Sequence, residues 1–200
     1  MAIDSRVVFL LMDIAGRRPE THAIAVDVQH AFRTRAQDLF QHSDANESEG
    51  IAVLVRDLNG SLIEAARGVR CAPAFLGCYN LALNVLTYHY AGHLLAAFRD
   101  AESARVLEPG GIPLGLFTHS TYEPAVLAFG RHAKLLLVTK GMAESRRGET
   151  TFDDERVRLL LESSTKDSAS SICGAALQAA YDAGNHPWSR VYDFLRPRKQ

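Results

Sequence analysis

The amino-acid sequence predicts an α+β fold, with antiparallel strands and helices in separate blocks. Three observations predict it. The chain opens on a strand followed by two helical stretches, short strand-like segments fill residues 70–139, and two more helical stretches precede a closing strand. Segregated strands and helices argue against a doubly wound parallel sheet. Helices on the outside of stacked antiparallel sheets satisfy the order. Two hundred residues suit one domain spanning 1–200.

Each element has its own signal. Arg6 to Ile14 (RVVFLLMDI) is a short apolar run, read as a buried strand ending near Asp13. Gly16-Arg17-Arg18-Pro19 is a turn. From Thr21 to Gln41, Ile24, Val28, Ala31, Phe32, Ala36 and Leu39 recur at helical spacing, with Thr21 as the expected N-cap. A second helix over 48–66 carries Ile51, Val55, Leu58 and Leu62 on one face. Gly60 weakens it by up to about 1 kcal/mol relative to Ala, and Gly68 stops it.

Strands are then expected over 74–79, 85–91, 94–99, 105–107, 118–129 and 134–139, with a turn over 80–84. Pro124 marks the fifth of these as an edge or a bulge. Helices follow over 152–163, led by Asp153, Asp154 and Glu155, and over 168–183, capped by Ser168. Residues 188–195 read as a last strand.

Composition narrows the function. A net charge of -1 and a pI near 6.7 lack the basic bias of a nucleic-acid footprint. The basic tail Arg196-Pro197-Arg198-Lys199 reads as a solvated terminus. No run approaches the roughly 18–20 apolar residues that span a bilayer. The opening run is short and broken by Asp13, so a cytoplasmic location is expected. Cys71, Cys78 and Cys173 lack zinc-knuckle spacing and read as reduced packing cysteines.

The most informative stretch runs from Leu107 to Ser145. It holds the loop Gly110-Gly111-Ile112-Pro113-Leu114-Gly115 and the apolar run Leu135–Val138, which ends at Thr139-Lys140-Gly141. A loop after a buried strand is a place where chemistry sits. Other constellations carry less. His89 and His93 share a strand face but lack a carboxylate, so they read as a strand residue and a turn residue. Ser120 and Ser145 lie in no nucleophile elbow. Gly110-Gly111 is followed by no Lys-Ser/Thr pair and opens no helix, so it is not a phosphate loop.

Several motifs share one register. Val8 to Gly16 (VFLLMDIAG) looks like a "DVSGHG" strand and loop, Val53 to Leu62 like an "L..LN..L" helix, and Leu86 to His93 (LTYHYAGH) like "LTYVNAGH". Gly111 to Leu116 matches "G.PLGL", and Leu135 to Glu144 (LLLVTKGMAE) matches "LLLYTDGVTE". In these motifs the chain resembles the PPM-type metal-dependent serine/threonine phosphatases, in the SpoIIE-like branch of sporulation and stress regulators. The resemblance implies an α-β-β-α sandwich with a two-metal Mn2+ or Mg2+ centre. It also implies dephosphorylation of a partner, commonly an anti-sigma-factor antagonist.

Three aspartates hold the metals in that family. Divalent cations of this kind need hard oxygen ligands, which activate water and neutralise phosphoryl charge. Asp13 keeps the first position, but Arg17, Arg18 and Pro19 replace the Gly-His-Gly after it. Lys140 stands at the second position. Ser189 stands at the third, in a segment (185–190) without an acid, and Asp193 falls too late. The family's opening strands with their "GGD" element have no counterpart. The expectation is a degenerate domain that binds a phosphoprotein or other protein partner, with no resident metal. Arg17, Arg18 and Lys140 are its candidate anion-binding residues. The alternatives are an active Mn- or Mg-dependent phosphatase using other acids such as Glu144 or Asp153, and a structural module that forms homo-oligomers through a bare sheet edge.

Overall fold

The computed structural model describes residues 1–92, 94–130, 132–143, 146–147, 150–164 and 168–183. In chain order the elements are β1 (Ala2–Ile3), β2 (Arg6–Met12), α1 (Arg18–Phe40), α2 (Glu47–Ala65), β3 (Ala74–Asn80), β4 (Val85–Ala91), β5 (Leu95–Arg99), β6 (Ala104–Val106), β7 (Ala125–Ala128), β8 (Lys134–Val138), α3 (Lys140–Ala143), β9 (Arg146–Arg147), β10 (Thr150–Thr151), α4 (Asp154–Ser163) and α5 (Ala169–Ala183). The α+β class with antiparallel sheets and flanking helices is as expected. Two compact units divide the elements.

The first unit joins Met1–Leu94 with Glu108–His132. Its sheet runs β1-β2-β3-β4-β7, every pair antiparallel. Helices α1 and α2 pack together and cover one face. The spacing of Ile51, Leu54, Val55, Leu58 and Leu62 explains why. All five are at most 1 % exposed, and they meet Val8, Leu76 and Cys78 from the strands. Each such side chain contributes on the order of 1.5–3 kcal/mol. The opposite face carries aromatic residues: Phe75 stacks between Phe9 and Tyr88, with ring centroids 6.2 and 5.0 Å away.

A buried ion pair ties the α1–α2 turn to the sheet. Arg6 is 3 % exposed. Its Nε donates to Glu47 Oε1 at 2.7 Å, and its other nitrogens donate to the carbonyls of His42, Ser43 and Ala45. Asn80 Nδ2 donates to the same Glu47 oxygen. Partial burial pushes the Glu47 carboxyl up, but these bonds outweigh it and hold the group below its ordinary range. Burial pushes the neighbouring Cys78 thiol up to about 12.

The second unit joins Leu95–Leu107 with the described residues from Ala133 onward. Its sheet is β6-β5-β8, antiparallel throughout. Helix α4 lies on it and α5 packs against α4, around Leu136, Phe152, Val157 and Leu161. Asp153 caps α4 by accepting the Arg156 N–H, and Ser168, as expected, caps α5 by accepting the Ser171 N–H.

Several boundaries differ from expectation. Thr21 is not the N-cap of α1. The helix begins at Arg18 with Arg17 as an uncapped N-cap residue and Pro19 in the first turn, where a missing N–H costs nothing. The Thr21 hydroxyl donates back to the Arg17 carbonyl. Helix α2 is capped by Asn46, whose side chain accepts from Ser48 and Glu49. The strand expected over 118–129 is only β7, an edge strand starting just after Pro124. Cys173 is exposed, so it is not a packing cysteine. Among the described residues only the two-residue β1 precedes β2. None of their helices is long and apolar enough to cross a membrane. The expected last strand lies outside the described residues.

Removing the buried guanidinium leaves Glu47 without its cation and three carbonyls without their donor. Arg6→Ala is expected to cost about 3 kcal/mol, read as a lower urea midpoint with an unchanged m-value.

Candidate functional site

Strand β2 delivers Asp13 at its C-terminal end, half-buried. The chain stays beside the segment before β3: the Asp13 N–H donates to the Pro73 carbonyl at 3.0 Å and the Ala15 N–H to the Cys71 carbonyl at 3.3 Å. Gly16 then takes φ +142°, which side chains rarely adopt, and a Cβ there would lie 2.8 Å from Arg70 Nη1. Arg70 crosses this loop. It donates to the Ala15 carbonyl at 3.3 Å and pairs with Glu20 Oε2 at 2.5 Å. Arg17 is exposed, and Arg18 is the first residue of α1.

A second loop is locked to this one. Ala72 and Leu114 exchange both backbone hydrogen bonds, at 2.8 and 2.9 Å. Gly115 takes φ +87°, and a Cβ there would fall 2.5 Å from the Arg70 carbonyl. Asn59 of α2, 3 % exposed, completes the lock. Its Oδ1 accepts the Gly115 N–H at 2.8 Å, and its Nδ2 donates to the Phe117 carbonyl at 2.9 Å. Gly92 and Gly111 add a further bond, Gly92 N–H to Gly111 carbonyl at 2.8 Å. The "LN", "AGH" and "PLGL" elements are thus one hydrogen-bonded assembly.

His89 lies on the helix-facing side of β4, paired in register with Leu76. It is 2 % exposed. Its Nδ1 sits 3.3 Å from the Glu123 carbonyl and its ring meets Tyr122 edge-on. Nε2 has no hydrogen-bond partner and lies beside Gly111, where a Cβ would come within 3.0 Å of it, and the void that His89 lines with Leu58, Leu76, Ala91 and Leu114 is too tight for water. No carboxylate lines that void, which fits a core histidine rather than a metal ligand. His93 lies outside the described residues.

In the second unit β8 ends at Val138. Lys140, exposed, begins the one-turn helix α3, closed by N–H bonds from Met142 and Ala143 to the Thr139 carbonyl. Asp13, Arg17 and Arg18 belong to the first unit and Lys140 to the second. Glu144, Ser145, Ser189 and Asp193 lie outside the described residues. Asp153, the other acid considered for a metal, is the N-cap of α4. Among the described residues no group of three or more His, Cys, Asp and Glu is placed to hold a metal ion. Sequence reasoning missed Arg70, because its partners Ala15 and Glu20 lie 50 or more positions away.

The family model described as stage II sporulation protein E (SpoIIE) matches residues 3–189. No curated protein sequence matches the chain. Among solved structures, the SiaA-PP2C domain of Pseudomonas aeruginosa is similar with a TM-score of 0.73 at 15% identity, over 94% of this chain and 74% of that one. The RsbU and RsbW domains of Rv1364c from Mycobacterium tuberculosis also give 0.73, at 20% identity, over 91% of this chain and 49% of that one. RsbX in complex with magnesium gives 0.61 at 14% identity, over 90% and 76%. At these identities the likeness is one of fold.

Two outcomes follow from the geometry. Asn59→Ala leaves a buried N–H and a carbonyl unpaired, so it is expected to cost about 1–3 kcal/mol and to speed amide exchange at Gly115. Burial holds the His89 imidazole below its ordinary value of 6.5. The unfolded chain therefore takes up a proton that the folded chain refuses. Stability is full above about pH 6.5 and falls as the pH drops below it. His89→Phe should flatten that slope in thermal melts between about pH 5 and 6.5.

Proposed function

The chain belongs to the SpoIIE family, and from that premise we propose that it is a catalytically impaired PPM-type phosphatase domain, a pseudophosphatase that works by binding a protein partner in bacterial signalling. The partner class is a phosphoprotein such as an anti-sigma-factor antagonist. The observation that carries the reading is Lys140, which stands at the end of β8 where the family pattern has a carboxylate. An ammonium cannot ligate a divalent cation, and it adds positive charge where the ions need negative charge. Asp13 is the one retained acid, and the described residues gather no three-donor group around it or elsewhere. On this reading the described residues do not fit a two-ion Mn2+ or Mg2+ centre.

The binding side rests on the scaffold. The loops that carry Asp13 and Gly115 are held by Arg70, Asn59 and the Ala72–Leu114 pair, and none of these contacts requires a metal. Arg17, Arg18 and Lys140 are the cations this reading assigns to a phosphorylated ligand.

With Mn2+ the purified chain is expected to hydrolyse p-nitrophenyl phosphate no faster than buffer. Measurable turnover that disappears in Asp13→Ala would instead establish an active phosphatase. Lys140→Asp combined with Ser189→Asp should restore Mn2+ binding, read as loss of the free-ion paramagnetic resonance signal. A double variant that still binds nothing would turn attention to the Arg17-Arg18-Pro19 loop, which departs from the family's Gly-His-Gly.

A further inference from the structure

The loop that Asn59 fixes presents apolar side chains to solvent. Gly115 is wedged against the Arg70 carbonyl and Leu62, where a Cβ would fall 2.5 and 3.1 Å from them. Two residues on, the Phe117 carbonyl accepts from Asn59 Nδ2. With both ends of this step held, Leu116 and Phe117 stand in water, 48 % and 60 % exposed. The fold uses the backbone of the segment and leaves its side chains out. Ile112 on the same loop and Val69 beside Arg70 are exposed as well. Single exposed apolar residues are ordinary, but a cluster of them marks an interaction surface.

The charges beside this cluster favour one sign. Residues 115–117 run along α2 from Leu62 to Asn59. Helix neighbours lie three and four positions apart, so Arg56 and Ile63 share the Asn59 side of α2. At roughly 100° per residue, Asp57 and Glu64 fall on the side away from Asn59. Asp57 there pairs with Arg35 of α1 at 2.6 Å. The loop itself, residues 110–122, carries no acid. Arg56, and Arg67 just past the end of α2, are exposed and make no ion pair among the described residues.

We propose that Ile112, Leu116 and Phe117, with Arg56 and Ile63 of α2, form a docking surface for an acidic segment of a partner protein that carries a leucine or phenylalanine anchor. The anchor packs on Leu116 and Phe117, and its flanking acids meet Arg56 and Arg67. Aromatic and Arg side chains are those that dominate binding energy at interfaces. The Asn59 bonds and the Ala72–Leu114 pair hold the loop before the partner arrives, so little ordering entropy is lost on binding. A second copy of the chain fits less well. A two-fold axis through the patch would set Arg56 and Arg67 against the same two cations, with no acid between them. The surface serves an active or an inactive domain alike, and its test is separate from that of the metal centre.

A fluorescein-labelled peptide of sequence Glu-Asp-Leu-Glu-Glu-Phe-Leu-Glu, titrated onto the full chain and followed by anisotropy, tests the surface. Saturable binding is expected, weakening as salt is raised. Phe117→Ser should weaken it about tenfold or more, and Arg56→Glu about tenfold. Both side chains are exposed, so each variant should melt with the parent chain. Val126→Ser, exposed on β7 and outside the patch, should bind as the parent does. A peptide with Lys at every acidic position should not bind. The proposal is overturned by an acidic peptide that fails to bind, or that binds Phe117→Ser as well as the parent. It is also overturned by a free-chain dimer in sedimentation that Phe117→Ser makes monomeric, which would give the surface to a second copy.

Discussion

The side-chain amide of Asn59 is the constraint on which the site's architecture depends. It leaves α2 and meets a backbone N–H and a carbonyl two residues apart, at Gly115 and Phe117. A buried amide satisfied in this way is specific, since any displacement of the loop leaves polar groups unpaired. The loop it fixes bonds to Ala72, and the segment around Ala72 carries Arg70, which crosses the Asp13 loop. One side chain on a helix therefore orders, by short steps, the backbone on which family chemistry would be mounted.

That arrangement accounts for the motifs by packing and hydrogen bonding alone. Gly16, Gly92 and Gly115 are required by positive φ and by close neighbours, and Asn59 is required by its two partners. None of these requirements involves a metal ligand. Lys140 stands at the exposed start of a one-turn helix, so on the proposed reading its side chain changes without disturbing buried packing. Fold and ligand set can thus change independently, and the fold here rests on the apolar stripe of α2 and the Arg6–Glu47 anchor.

Much of this was legible in the sequence, for physical reasons. The period-3.6 stripes of α1, α2, α4 and α5 and the β-branched and aromatic runs of β3 and β4 are strong local signals. Asp13 and Lys140 draw notice because they sit inside the motif-like stretches VFLLMDIAG and LLLVTKGMAE. Elements governed by distant contacts were not legible. The start of α1 lacks a capping side chain, so the nearest side chain of capping type, Thr21, marks the wrong residue. Strand β7 pairs for only four residues, and the apolar residues before it, such as Tyr122, belong to the core rather than to a ladder. Arg70 and Arg6 act across 50 and 41 positions.

Metal affinity is the property on which the functional reading turns. Isothermal titration of the full chain with Mn2+ measures it without reference to any substrate. The proposed reading predicts only dilution heats up to millimolar Mn2+. Saturable heat with a stoichiometry near two ions per chain would contradict the loss of the metal centre.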